Sequence, residues 1–157
     1  MSTPEEFMRR AIALSMENVR AARGGPFGAV IVRDSRIVAE GTNLVTATND
    51  PTAHAEVVAI RGACRALVRF DLADCDLYSS CEPCPMCLGA IYWARLGRLF
   101  FANTRQDAAA IGFDDRLIYD QLALAFPERS IRTAQLLRAE ALEAFREWER
   151  APDKIRY

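Results

Sequence analysis

Lysine and histidine are almost missing from this chain. Its 157 residues hold one lysine, Lys154, and one histidine, His54, so nearly all of its basic charge is arginine. No long run of charge of one sign occurs, and 20 basic residues against 21 acidic ones leave a net charge of −1. That balance argues against nucleic acid as a partner, because phosphate contacts are made by clustered Lys and Arg. No stretch approaches the ~18 apolar residues of a membrane span. The opening MSTPEEFMRR lacks the apolar core of a signal peptide. Both absences point to a cytoplasmic protein without a membrane partner. Internal repeats, low-complexity segments and Pro/Gly/Ser-rich linkers are missing too. Residues 1–157 therefore read as a single domain, inside the usual span of roughly 100–200 residues.

With 51% apolar and 26% charged residues, the chain has the composition of an ordinary globule with a sizeable core. Five cysteines, three of them within seven residues, make a poor disulfide framework because the count is odd. They suit a reducing compartment, where such clusters hold metal or do chemistry.

Residues 3 to about 22 read as a helix. Thr3 and Glu6 form a capping box, Pro4 takes the first helical position, and Phe7, Ala11, Leu14 and Val19 supply an apolar stripe. Gly24-Gly25-Pro26 ends it. Residues 28–32 and 37–41 flank Arg33-Asp34-Ser35-Arg36 as a hairpin. A second helix is expected over 53–67, a strand over 76–80, a third helix over 83–94 and another strand over 98–102. Residues 107–120 read as a short helix and a loop around Gly112-Phe113-Asp114-Asp115. Leu137, Ala141, Phe145 and Trp148 mark a last amphipathic helix before a polar tail ending at Tyr157. Strands alternating with helices imply an α/β layered sheet.

Two short segments carry the chemistry: His54-Ala55-Glu56 and Pro83-Cys84-Pro85-Met86-Cys87. A zinc site with three protein ligands and an open position needs soft or borderline donors on rigid elements. Cys84 and Cys87 are spaced i, i+3 at the start of an expected helix, which puts both sulfurs on one face and lowers their pKa toward the thiolate. His54 is the third ligand, leaving a fourth position for water. Residues i and i+2 do not share a helix face. Glu56 therefore reaches the same place as His54 only if the pair sits in the first turn. There a carboxylate beside a zinc-activated water takes its proton at neutral pH. The pattern H-x-E…P-C-x-x-C with these roles is the signature of zinc nucleobase deaminases.

The runs Asn49-Asp50-Pro51-Thr52-Ala53-His54-Ala55-Glu56 and Ser80-Cys81-Glu82-Pro83-Cys84-Pro85-Met86-Cys87-Leu88-Gly89-Ala90-Ile91-Tyr92-Trp93-Ala94 resemble bacterial guanine deaminases of the cytidine-deaminase superfamily. Gly24-Gly25-Pro26-Phe27-Gly28-Ala29-Val30, Gly112-Phe113-Asp114-Asp115 and the final Tyr157 match as well. The resemblance implies a three-layer α-β-α fold around a mixed sheet of five strands. It also implies zinc on His54, Cys84 and Cys87, with Glu56 shuttling protons. Asn43 and the backbone of Ala55 then contact the base, and Phe27 packs on its face. Asp115 handles a second proton or reads the purine edge, and Tyr157 closes the site. The implied reaction is hydrolytic deamination of guanine to xanthine and ammonia. The implied assembly is a homodimer in which the C-terminal segment can be exchanged between subunits.

Other readings stay open on the residues alone. Cys81 offers a fourth ligand for a closed structural zinc, since Cys81-Glu82-Pro83-Cys84 is also C-x-x-C. Otherwise it is a packed thiol at a strand end, as Cys64 and Cys75 are core filler. The zinc motif is shared with tRNA adenosine deaminases and with deaminases of other small rings such as cytosine or an aminotriazine. A zinc-stabilised binding domain without catalysis is the reading in which Glu56 has no task.

Overall fold

The computed structural model describes residues 3–157. The chain forms two compact units, one running to Asp115 and the other Arg116–Tyr157. In the first, helix α1 (Pro4–Arg20) opens at Thr3 with the capping box formed in both directions. Its buried stripe passes through Phe7, Ala11, Leu14 and Asn18. The stripe was expected to end on Val19, which is exposed. A buried asparagine holds that place instead.

Strands β1 (Gly28–Arg33) and β2 (Arg36–Thr42) form the expected antiparallel hairpin. Asp34 and Ser35 both take left-handed backbone angles at its tip, the geometry of a tight hairpin turn. A short helix α2 (Val45–Thr48) follows, then α3 (Ala55–Leu67), β3 (Asp76–Cys81), α4 (Pro85–Trp93), β4 (Arg98–Asn103) and α5 (Arg105–Ala110). The sheet order is β2-β1-β3-β4. β1 pairs antiparallel with β2 and β3, whereas β3 and β4 are parallel and joined through α4.

Alternation along the strands separates two apolar layers. Val30, Val32 and Tyr78 pack with Phe7 and Leu14 of α1 on one side. Ala29, Ile31 and Leu77 pack with Ala55, Ala59, Ile60 and Ala63 of α3 and Ile91 of α4 on the other. This is the expected three-layer α-β-α arrangement. Gly41 brings α3 close to the sheet: a Cβ there would stand 2.1 Å from the Ala55 carbonyl oxygen and 2.6 Å from the Ala59 nitrogen. Only glycine lets the start of α3 lie directly on β2.

The sheet has four strands rather than the five that the resemblance implied. Only four segments of the sequence carry strand signals. After β4, Thr104 caps α5 with a second capping box, so the chain turns into helix instead of pairing again. The second unit holds α6 (Arg116–Ala123), a 3-10 turn (Phe126–Glu128) and α7 (Arg138–Arg150). Its apolar residues recur at helical spacing, and neither α6 nor α7 has a buried residue.

Candidate active site

Two helix starts make the centre of the site. His54 is the residue that caps α3 and Cys84 the one that caps α4, each with extended backbone and with no side-chain capping bond. The expected helices, over 53–67 and 83–94, began two residues too early. Because α3 starts at Ala55, His54 lies outside the helix, and the i, i+2 spacing no longer keeps it from Glu56. Pro85 at the first position of α4 fixes the backbone between Cys84 and Cys87.

The nitrogen Nδ1 of His54 lies 3.5 Å from Sγ of Cys84 and 3.5 Å from Sγ of Cys87. The three donor atoms lie within 4.8 Å of one another. Tetrahedral zinc with Zn–N of about 2.1 Å and Zn–S of about 2.3 Å separates such donors by about 3.6 Å. The group therefore fits zinc, and with three ligands it fits the open rather than the closed kind of site. Cys81 does not join it. That thiol is buried at the end of β3, directs its sulfur toward the Thr104 carbonyl at 3.6 Å, and is pushed up to about 11 mainly by burial.

Proton placement favours metal binding at Cys84. The neighbouring Cys87 sulfur and the His54 ring hold the Cys84 thiol down at about 4, against burial. The closeness of Cys84 in turn pushes the Cys87 thiol up, with burial and the Glu56 carboxylate adding to it. His54 is raised, first by its bond to Cys84. Glu56 is 6% exposed, and burial raises its pKa above the usual carboxylate value. Its Oε1 accepts from the Ser79 hydroxyl at 3.3 Å and its Oε2 from the Cys87 thiol at 3.4 Å.

The remaining candidates come from loops. Asn43 is buried beyond β2, and its Oδ1 accepts from the N–H of Val45 at 3.2 Å and of Gly25 at 3.4 Å. Both partners are donors, so the amide Nδ2 is the end left to face a ligand. The next residue, Leu44, donates its N–H to the Ala53 carbonyl, which ties this loop to the chain just before His54. Ala55 is the first residue of α3, where backbone N–H groups have no partner inside the helix. Phe27 is half-buried against the α3-side core and meets Phe113 edge to face, ring centres 5.0 Å apart. Asp115 is half-buried and Asp114 exposed. Burial first, then the charge of Cys84, raises the Asp115 carboxyl. Tyr157 ends the second unit and is exposed.

Sequence reasoning missed three contributors. Ser79 could have been found from strand alternation, which sends it to the same side as Leu77 and α3. Asn18 is a polar residue at a position of the buried stripe. Its Nδ2 donates to the Asn43 carbonyl at 2.8 Å and to the Gly25 carbonyl at 3.0 Å. Phe113 sits in a quoted motif, but no signal in it says that Phe27 would be its partner.

Comparison with known proteins agrees with this geometry. Residues 1–103 match the family model described as the cytidine and deoxycytidylate deaminase zinc-binding region. The chain is 54% identical over 153 residues to a guanine deaminase of Bacillus subtilis, covering 98% of both proteins. The crystal structure of guanine deaminase from Bacillus subtilis superposes with a TM-score of 0.97 at 52% identity over 99% of both chains. A tRNA-specific adenosine deaminase of Haemophilus influenzae is 41% identical over 71% of this chain and 67% of its own. A guanine deaminase structure from Nitrosomonas europaea matches with a TM-score of 0.68 at 36% identity, covering 73% of this chain and 66% of that one.

Proposed function

The chain belongs to the cytidine and deoxycytidylate deaminase zinc-binding family, and within it we propose that the protein is a zinc-dependent guanine deaminase, converting guanine and water to xanthine and ammonia. The observation that carries this reading is the His54–Cys84–Cys87 group with the buried carboxylate of Glu56 beside it, in a chain similar to a guanine deaminase over nearly its full length.

His54, Cys84 and Cys87 hold the zinc ion. When bound, zinc supplies a Lewis acid that lowers the pKa of water to about 7. Glu56 takes the proton of the attacking water and delivers it to the ring nitrogen N3 as the oxygen adds to C2. It then takes the second proton from the new hydroxyl on C2 and passes it to the amine, and as the C–N bond breaks ammonia leaves and C2 becomes the carbonyl of xanthine. One carboxylate serves as base and then as acid because the two transfers are consecutive. Burial suits it to the second task, since it keeps a proton more readily than an exposed glutamate. The Asn43 amide and the Ala55 backbone N–H bond to the purine edge, and Phe27, backed by Phe113, packs on its face. Asp115 handles a second proton or reads the far edge of the purine.

The whole chain serves this one deaminase activity, and it works as a homodimer on a small-molecule substrate. The outer side of α4 presents Tyr92 and Trp93 to solvent, 75% and 69% exposed. The second unit leaves Leu117, Phe126, Leu136 and Phe145 exposed. Surfaces of this kind mark contacts with another chain. Exchange of the C-terminal segment between protomers would cover part of them, and light scattering on the purified protein tests for twice the chain mass. A cytoplasmic location is part of the same proposal. No helix among the described residues is long and apolar enough to cross a membrane. All five cysteines are free, which suits a reducing compartment.

Ammonia release from zinc-loaded protein, with guanine, adenine, cytosine, cytidine and ammeline side by side, tests the assignment. Guanine is expected to turn over far faster than the others. Inosine formation in tRNA without guanine turnover would overturn it.

A further inference from the structure

Two serines stand next to each other on β3 and face opposite ways. The Ser80 hydroxyl accepts the N–H of Gly28 at 3.0 Å, a bond inside the sheet. Ser79, level with Ala29 on β1, faces the layer of Leu77, Ala55 and Ala59 and is 2% exposed. A hydroxyl in so apolar a place needs a partner. Its partner is Oε1 of Glu56.

We propose that Ser79 is a positioning residue that pins Oε1 of Glu56 and so makes Oε2 the oxygen that carries the proton. Among the described residues, the side chains bonded to Glu56 are Ser79 and Cys87. The Cys87 sulfur is one of the three donors of the metal group, so Ser79 is the side chain given over to holding the carboxylate. The two contacts also separate the two oxygens. Oε1 faces the sheet, and Oε2, 3.4 Å from the Cys87 sulfur, faces the metal group. A carboxylate that must meet first a water and then a ring nitrogen gains rate from being held in one orientation.

This inference rests on the reading of Glu56 as the proton carrier, and the test separates the two. Zinc-loaded Ser79→Ala, Ser79→Thr, Glu56→Gln and the Ser79→Ala/Glu56→Gln double variant are compared with the parent protein. The measurements are kcat and KM for guanine, zinc per chain by atomic absorption, and thermal unfolding. Ser79→Ala is expected to keep its zinc and its KM within about twofold while kcat falls about 10- to 100-fold, the usual cost of removing a supporting group behind a reacting residue. Ser79→Thr restores most of the loss. In the Glu56→Gln background the same change costs less than about twofold, because the oxygen it pins no longer moves a proton. An unchanged kcat in Ser79→Ala, or an equal loss in both backgrounds, overturns the proposal. If Ser79→Ala fails to fold, the isosteric pair Ser79→Thr and Ser79→Val decides, with equal kcat in both overturning it. Full turnover in Glu56→Gln would instead refute the reading of Glu56. Lost turnover there beside an unaffected Ser79→Ala refutes only the role of Ser79.

Discussion

The metal side of the site and its ring-binding side are built from different kinds of backbone. His54 and Cys84 cap α3 and α4, and Glu56 and Cys87 stand on the first turns of these two helices, which are buried against the sheet. Asn43, Phe27, Phe113 and Asp115 stand on loops held by a few hydrogen bonds gathered at Asn43 and by one aromatic contact. The metal group needs atoms placed to within a few tenths of an ångström, and helix starts on a close-packed layer supply that. Ring recognition needs adaptable polar groups, and loops supply those at lower local stability. Changes on the metal side should therefore abolish turnover, and changes on the loop side should shift KM and substrate choice.

The comparison breaks most sharply at Glu56 and Cys87. Glu56→Gln should keep its zinc and lower kcat about 10²- to 10⁴-fold, the range for a general acid–base group. Cys87→Ala should lose both zinc and turnover. Zinc content measured beside kcat tells them apart. A Glu56→Gln variant that loses its metal would mean that the carboxylate holds the site together rather than reacting. Next in size is Gly41→Ala. Its methyl would meet backbone atoms of α3 that cannot rotate away, so α3 must lift from β2 at its first turn. Overpacking of this kind costs about 1–3 kcal/mol. The melting temperature should fall by several degrees, and zinc affinity should fall with it. A normal zinc affinity in a destabilised Gly41→Ala would show that the start of α3 does not depend on the sheet beneath it.

The same division explains what could be read in the sequence. A motif at a helix start is local: His54-Ala55-Glu56 and Cys84-Pro85-Met86-Cys87 carry their own geometry, and Pro85 even marks where α4 begins. The four strands were equally local, each an apolar run bounded by turn residues. Contacts set by distant parts of the chain were not legible. Asn18 looked like one polar residue near the end of a helix because its two acceptors are carbonyls of Gly25 and Asn43. Ser79 gained its meaning only when α3 laid Glu56 across β3. The fifth strand came from the resemblance and had no segment of its own to stand on, and the helical spacing beyond residue 116 won.

A milder effect is expected on the loop side. Asn43→Asp keeps the oxygen that accepts from Val45 and Gly25 but removes the amide donor proposed for the purine edge. KM for guanine should rise five- to tenfold, about the 1–1.5 kcal/mol of one hydrogen bond, with kcat and zinc content little changed. A fall in kcat at constant KM would place Asn43 with the metal side and blur the division.

The smallest effect lies in the frame behind the loops. Arg10 of α1 donates to both carboxylate oxygens of Glu40 on β2, at 2.7 Å each, three residues before Asn43. The pair is more than a third exposed on both sides, so screening holds its worth to about 0.2–1 kcal/mol. The Arg10 guanidinium lowers the Glu40 carboxyl below its ordinary value of 4.5. A lowered carboxylate stabilises the fold fully above its unfolded pKa and loses that contribution as pH falls through the folded one. Arg10→Gln should therefore lower the melting temperature by a degree or two at pH 7, and the gap from the parent protein should close as pH falls below 4.5. Guanine turnover should not change, because the pair fixes only how α1 sits on β2. A KM that rises in Arg10→Gln would mean that the loop side takes its shape from this edge of the sheet, and that the ring-binding wall is less local than its hydrogen bonds suggest.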